Sequence, residues 1–143
     1  MKLRLILSSF IIASALMLGG FVTNPEPPPA ATYNLKVVKV DGVWRVVDAS
    51  DYSKRKVKVK RKDKIVWKAE GSDVYFQFSN KLFNAVDEAD TLSGGYTTFL
   101  RDGRKLKLKV KDDAPSGTYE YAVFCTADGV FAQGESPPKI VIE

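Results

Sequence analysis

Gly117–Ile142 reads GTYEYAVFCTADGVFAQGESPPKIVI, and its two ends decide the fold class. Thr118–Phe124 and Lys139–Ile142 are short runs rich in Tyr, Phe, Val and Ile, the residues that suit a pleated, half-buried surface. Between them lies a stretch dense in Asp, Gly and Pro, which by composition is a loop. A lone cysteine, Cys125, closes the first run. Its neighbours Val123 and Phe124 are apolar, and a free cysteine in such company behaves as a small buried hydrophobe.

The same grammar continues upstream. Tyr33–Val40 and Val43–Val47 flank Asp41-Gly42, and Asp-Gly between two β-rich runs is a strong hairpin signal because a type I′ turn needs positive φ at both central positions. Lys56–Lys60 alternates lysine with valine, the mark of a strand with one buried face. Lys64–Lys68 (KIVWK) follows after a turn at Lys62-Asp63, and Val74–Phe78 (VYFQF) is a further strand. Lys105–Lys111 alternates again, with Leu106, Leu108 and Val110 facing inward. Asp112–Gly117 is dense in turn formers. Many short strands split by turn residues predict an all-β sandwich or barrel. Ser79–Leu100 does not read as strand. Within it Lys81–Ala89 predicts two helical turns, with Leu82, Phe83 and Val86 on one side and Ser79 or Asn80 as N-cap.

The chain has 143 residues, 22 Lys+Arg against 17 Asp+Glu, one cysteine and no histidine. That length suits one domain. Residues 1–23 stand apart: Lys2 and Arg4 precede a charge-free run, Leu5–Val22. This is an export signal or an N-terminal membrane anchor. Ala13-Ser14-Ala15 comes too early for cleavage to leave a polar new end, and no cysteine follows the run, which excludes a lipoprotein. Either reading places the domain outside the cytoplasm, periplasmic or secreted. Residues 24–31, NPEPPPAA, form a proline-rich linker, and residues 32–143 form the domain. One cysteine allows no internal disulfide.

Several motifs together resemble the cupredoxin family. Val57–Trp67 (VKVKRKDKIVW) is similar to its strand, turn and V-x-W strand. Ala114–Cys125 (APSGTYEYAVFC) is similar to its Pro/Gly turn and the G-x-Y strand that leads to a cysteine. Gly134–Ile142 (GESPPKIVI) is similar to the end of its ligand loop and its final strand. The resemblance spans about residues 55–143, with nothing similar at 79–100. It implies a two-sheet Greek-key sandwich with copper ligands at one end. In the family, copper sits among two histidines, a cysteine thiolate and usually an axial methionine, a soft set suited to that metal. Here Cys125 alone matches. The first histidine would fall near Ser72 or Asp73, the second among Asp128, Gly129 and Val130, and the methionine near Gln133 or Gly134. The only methionines are Met1 and Met17. No metal site and no cofactor are expected.

Without histidine, triad chemistry and the usual zinc sites are out, and no enzyme activity is expected. Asp87, Glu88 and Asp90 lack the spacing of a calcium loop and read as a solvated helix face. Asp112-Asp113 reads as turn chemistry. The lysines are the remaining signal. Lys56, Lys58 and Lys60 form one comb, and Lys105, Lys107, Lys109 and Lys111 another. If the two strands share a sheet, the combs merge into a basic face for an anionic partner, such as a membrane surface or an acidic protein face. Lysine also has the generic role of keeping sheet edges apart. Nucleic acid is disfavoured by export and by the lack of interleaved aromatics. The sequence thus reads as an exported, non-catalytic cupredoxin-like binding or accessory module with an unidentified protein partner. The alternative is a copper-handling or electron-transfer protein in which a partner completes a site at Cys125.

Overall fold

A computed structural model describes residues 20, 22–135 and 137–143. The export segment expected over 1–23 lies outside them, save for residues 20, 22 and 23. Among the described residues no helix is long and apolar enough to cross a membrane. The linker residues 24–31 are exposed and carry no regular structure.

Eleven strands follow: β1 Thr32–Val40, β2 Val43–Asp48, β3 Lys56–Val59, β4 Lys64–Ala69, β5 Val74–Phe78, β6 Phe83–Ala85, β7 Thr97–Leu100, β8 Lys105–Val110, β9 Gly117–Cys125, β10 Val130–Phe131 and β11 Lys139–Ile142. They form two sheets. The first runs β2-β1-β4-β8-β6, and the second runs β3-β11-β9-β5-β7, with β10 attached to β9. Consecutive strands repeatedly cross from one sheet to the other, giving the expected all-β, two-sheet Greek-key sandwich. The β1–β2 hairpin turns at Asp41 and Gly42, whose φ values of 50° and 78° are the positive pair that the Asp-Gly dipeptide predicts.

Alternation sets the register. Val57 and Val59 in β3, Ile65, Trp67 and Ala69 in β4, and Leu106, Leu108 and Val110 in β8 are buried while the lysines between them face out. At the centre Trp67 packs against Phe76, Phe78, Phe83 and Tyr121, with ring centroids 5.7, 5.7, 6.0 and 6.0 Å away. Its indole N–H donates to the Tyr121 hydroxyl at 3.1 Å, a buried bond that joins β4 of one sheet to β9 of the other.

The excursion at 79–100 differs from expectation. Lys81–Ala89 does not make two helical turns. Leu82 and Phe83 are both buried, and Phe83–Ala85 forms an edge strand with Phe83 opposite Val110 of β8. A single 3₁₀ turn, Glu88–Asp90, follows, with Asp87 rather than Ser79 or Asn80 at its N-cap. Thr97–Leu100 is a strand paired with β5. Cross-sheet burial of Phe83 outweighs the weak helical periodicity.

Tyr121→Phe should leave the fold intact but strand a buried indole N–H without its partner. The expected cost is about 1–3 kcal/mol, read as a lower urea midpoint with an unchanged slope.

Candidate functional site

The resemblance pointed to the end of the sandwich where β4, β5 and β9 meet. Cys125 is fully buried, opposite Val74 of β5. Burial, with the Asp128 carboxylate as a second cause, pushes its thiol up to about 11. A thiol held protonated is neither a ready nucleophile nor a ready metal ligand.

The positions where histidines would fall are each engaged by hydrogen bonds to neighbouring residues. The Ser72 hydroxyl donates to the Asp73 carbonyl at 2.6 Å and accepts the Ala127 N–H at 3.0 Å. The Thr126 N–H donates to the same carbonyl at 3.0 Å. The Asp73 carboxylate accepts the Asp102 N–H at 2.8 Å. Asp128 accepts the Trp44 indole N–H at 2.6 Å and the Lys39 ammonium at 2.7 Å on one oxygen. These two donors, Lys39 first, hold its carboxyl below the usual carboxylate range. The Trp44 ring edge lies over Gly71, where an added Cβ would come within 3.3 Å of it. Gln133 straps the loop to β2: its N–H donates to the Trp44 carbonyl at 2.8 Å, and its carbonyl accepts the Val46 N–H at 2.9 Å. Among the described residues no group of three or more His, Cys, Asp or Glu is placed to hold a metal.

The two lysine combs do not merge. β3 lies in the second sheet and β8 in the first. Lys56 and Lys58 pair with Glu135 and Glu143 at 3.9 and 3.8 Å, and Lys60 lies in the turn after β3. The β8 lysines instead meet β4, whose lysines belong to neither comb. Lys64 lies opposite Lys109, and Lys68 opposite Lys105, while β1 adds Lys36 beside Lys68. Lys36 and Lys68 share Glu70 at 3.1 and 3.2 Å, and Lys107 reaches Asp87 at 3.6 Å. Lys64, Lys105 and Lys109 form no salt bridge among the described residues. Lys111 follows the end of β8 and is half-buried.

Asp90 departs from the solvated face assigned to it. It is buried, and its desolvation raises its pKa. Asp63, read as a turn residue, is buried and accepts the N–H groups of Ala31 and Lys60, both at 2.8 Å. It fastens the linker to the turn before β4. A row of aromatics was also missed. On the outer face of the second sheet Phe131, Phe124, Tyr75 and Phe99 follow one another across β10, β9, β5 and β7. Tyr75 packs on Phe99 at 4.7 Å and Phe124 on Phe131 at 5.2 Å, and Phe131 remains 64% exposed. Each ring is a lone outward aromatic in its own strand, so only the register reveals the row.

No protein-family model matches the chain, and no curated protein matches it. Solved structures of amicyanin are similar in fold. A Cu(I) form of a methionine-to-glutamine variant is 15% identical, with a TM-score of 0.43 over 78% of this chain and 82% of that one. The oxidized state of a proline-to-alanine variant is 16% identical, with a TM-score of 0.40 over 80% and 82%.

Because the folded thiol of Cys125 titrates near 11 against an ordinary value of 9.0, the unfolded chain loses its proton first as pH rises. Stability conferred by the neutral buried thiol is complete below pH 9 and falls between about 9 and 11, by roughly 2–3 kcal/mol in all. Urea midpoints measured from pH 8.5 to 10 should fall less steeply for Cys125→Ala than for the parent. A second expectation concerns the lysine face. Like charges directly opposite each other across an antiparallel pair are destabilising. Lys109→Glu, which sets an acid opposite Lys64, should therefore raise the urea midpoint.

Proposed function

We propose that this protein is an exported, non-catalytic accessory module: a cupredoxin-like sandwich that does without the copper site its frame suggests. The observation that carries the reading is the closed loop end. Ser72, Asp73, Thr126 and Ala127 satisfy one another's hydrogen bonds, and Cys125 is sealed beneath them with its thiol protonated. One buried thiol with only carboxylates near it is a poor copper set.

Export rests on the charge-free Leu5–Val22 run after Lys2 and Arg4. Binding rather than catalysis rests on the chemistry at the surface. The chain offers no histidine as general base, but it presents two differing faces: lysines outside β4 and β8, and the aromatic row outside β5, β7, β9 and β10. An exposed row of aromatic rings is the composition that protein partners bury. A protein partner at that face and an anionic partner at the other fit the two surfaces.

The rival reading, a copper-handling protein that borrows ligands, is separable by one titration. Cu(II) added to the purified protein should give no intense visible thiolate absorption and should leave thermal stability unchanged, since a ligand bound by the native state must raise it. An intense band that Cys125→Ser removes would sink the accessory reading.

A further inference from the structure

We infer that the outer face of β1, β4 and β8 is a seat for anionic lipid headgroups, at which the domain lies flat on the membrane through Lys36, Lys64, Lys68, Lys105 and Lys109. The inference rests on the accessory reading and deepens it by naming what one face binds.

The register builds the seat. Lys36, Lys68 and Lys105 form one cross-strand row, and Thr32, Lys64 and Lys109 form another. Two like-charged pairs face each other directly, and nothing in the packing calls for that. Lys64, Lys105 and Lys109 form no salt bridge among the described residues, Lys36 and Lys68 share the one carboxylate of Glu70, and each like-charged pair costs stability. An anionic surface relieves the repulsion by supplying the missing counter-charges. On the opposite sheet, by contrast, Lys56, Lys58 and Lys139 each have a carboxylate of their own within 3.9 Å, whereas the five lysines of this face have Glu70 alone, shared by two of them.

A shallow groove of about 650 Å³ crosses this face, bordered by Asn34, Lys36, Ser50, Val66, Lys68 and Lys105. Of its three lysines, Lys36 and Lys68 share Glu70, and Lys105 forms no salt bridge among the described residues. Asp48 also borders it, but Ser50 and Asp51 already bond that carboxylate.

The choice of a bilayer over a soluble anion comes from where the linker joins. Thr32 lies beside Lys64 in the sheet, and Lys64 donates its N–H to the Ala31 carbonyl at 2.9 Å. Asp63 holds the Ala31 N–H at 2.8 Å. The linker therefore leaves the domain at the edge of the lysine face. Its eight residues span about 25 Å in a polyproline conformation, and Leu5–Val22 ahead of it is apolar over a bilayer-spanning length. A membrane that holds this segment lies within reach of the lysines. Attraction of that kind acts within a Debye length, about 8 Å at physiological salt.

The test uses the full chain with vesicles of phosphatidylglycerol and phosphatidylcholine or of phosphatidylcholine alone, with lysine acetylation located by mass spectrometry. Protection of Lys64, Lys105 and Lys109 relative to Lys56 and Lys58, on the anionic vesicles alone and abolished by 0.5 M-scale salt, is the expected result. Each lysine near an anionic surface contributes roughly fivefold to partitioning, so Lys105→Glu with Lys109→Glu should reduce the protection at least tenfold. Lys56→Glu with Lys58→Glu should leave it within twofold. Equal protection on both vesicle types would overturn the inference, because the apolar segment alone then brings the domain down. Protection by inorganic phosphate without vesicles, at millimolar concentration, would overturn it in favour of a soluble-anion site. Neither outcome touches the copper-free reading, which only the copper titration can overturn.

Discussion

The hydrogen bond from Trp67 to Tyr121 is the constraint around which the sandwich is arranged. Trp67 is completely buried and carries one donor that must be satisfied. Tyr121, from the other sheet, is its partner, and burial pushes the phenol up so that it stays protonated. Sheet-to-sheet packing otherwise tolerates sliding, because apolar contacts are non-directional. A single buried polar pair fixes the offset of β4 against β9. Within the second sheet, the β5–β9 ladder then sets Val74 opposite Cys125 at the loop end.

The loop end is closed by its own hydrogen bonds. Where the resemblance would place histidines, the chain has Ser72, Asp73 and Asp128, and every one is tied to a neighbour. Trp44 covers the end as a lid anchored at Asp128. The result is an interior as well satisfied as the rest of the core, since no buried side-chain polar atom among the described residues lacks a partner.

Much of the fold was legible from local pattern. Period-two alternation located β3 and β8, and β-rich runs between turn residues located β4 and β9, to within a residue or two, and Asp41-Gly42 located the first hairpin. The edge strands β6 and β7 were not legible, because Phe83 and Leu100 are placed by partners elsewhere in the chain rather than by their neighbours. β10 is two residues long and takes its identity entirely from β9. The candidate site was read less well, for the same reason. Alternation says which way a lysine points but not which strand lies beside it. The β8 comb was matched with β3, whereas its partner is β4, about 40 residues upstream. The buried roles of Asp63 and Asp90 and the aromatic row likewise exist only once distant strands are in register.

The clasp of Asp63 on Ala31 also has a mechanical side. Six residue pairs join β1 to β4 in parallel, beginning at Thr32 and Lys64, where the linker enters. A pull on the linker therefore runs along β1. It strains all of those rungs at once in shear and does not peel them one by one. The carboxylate of Asp63 takes the first of that load ahead of the sheet. A force applied through the linker is thus met first by the parallel pair and the Asp63 clasp, where many bonds share the load.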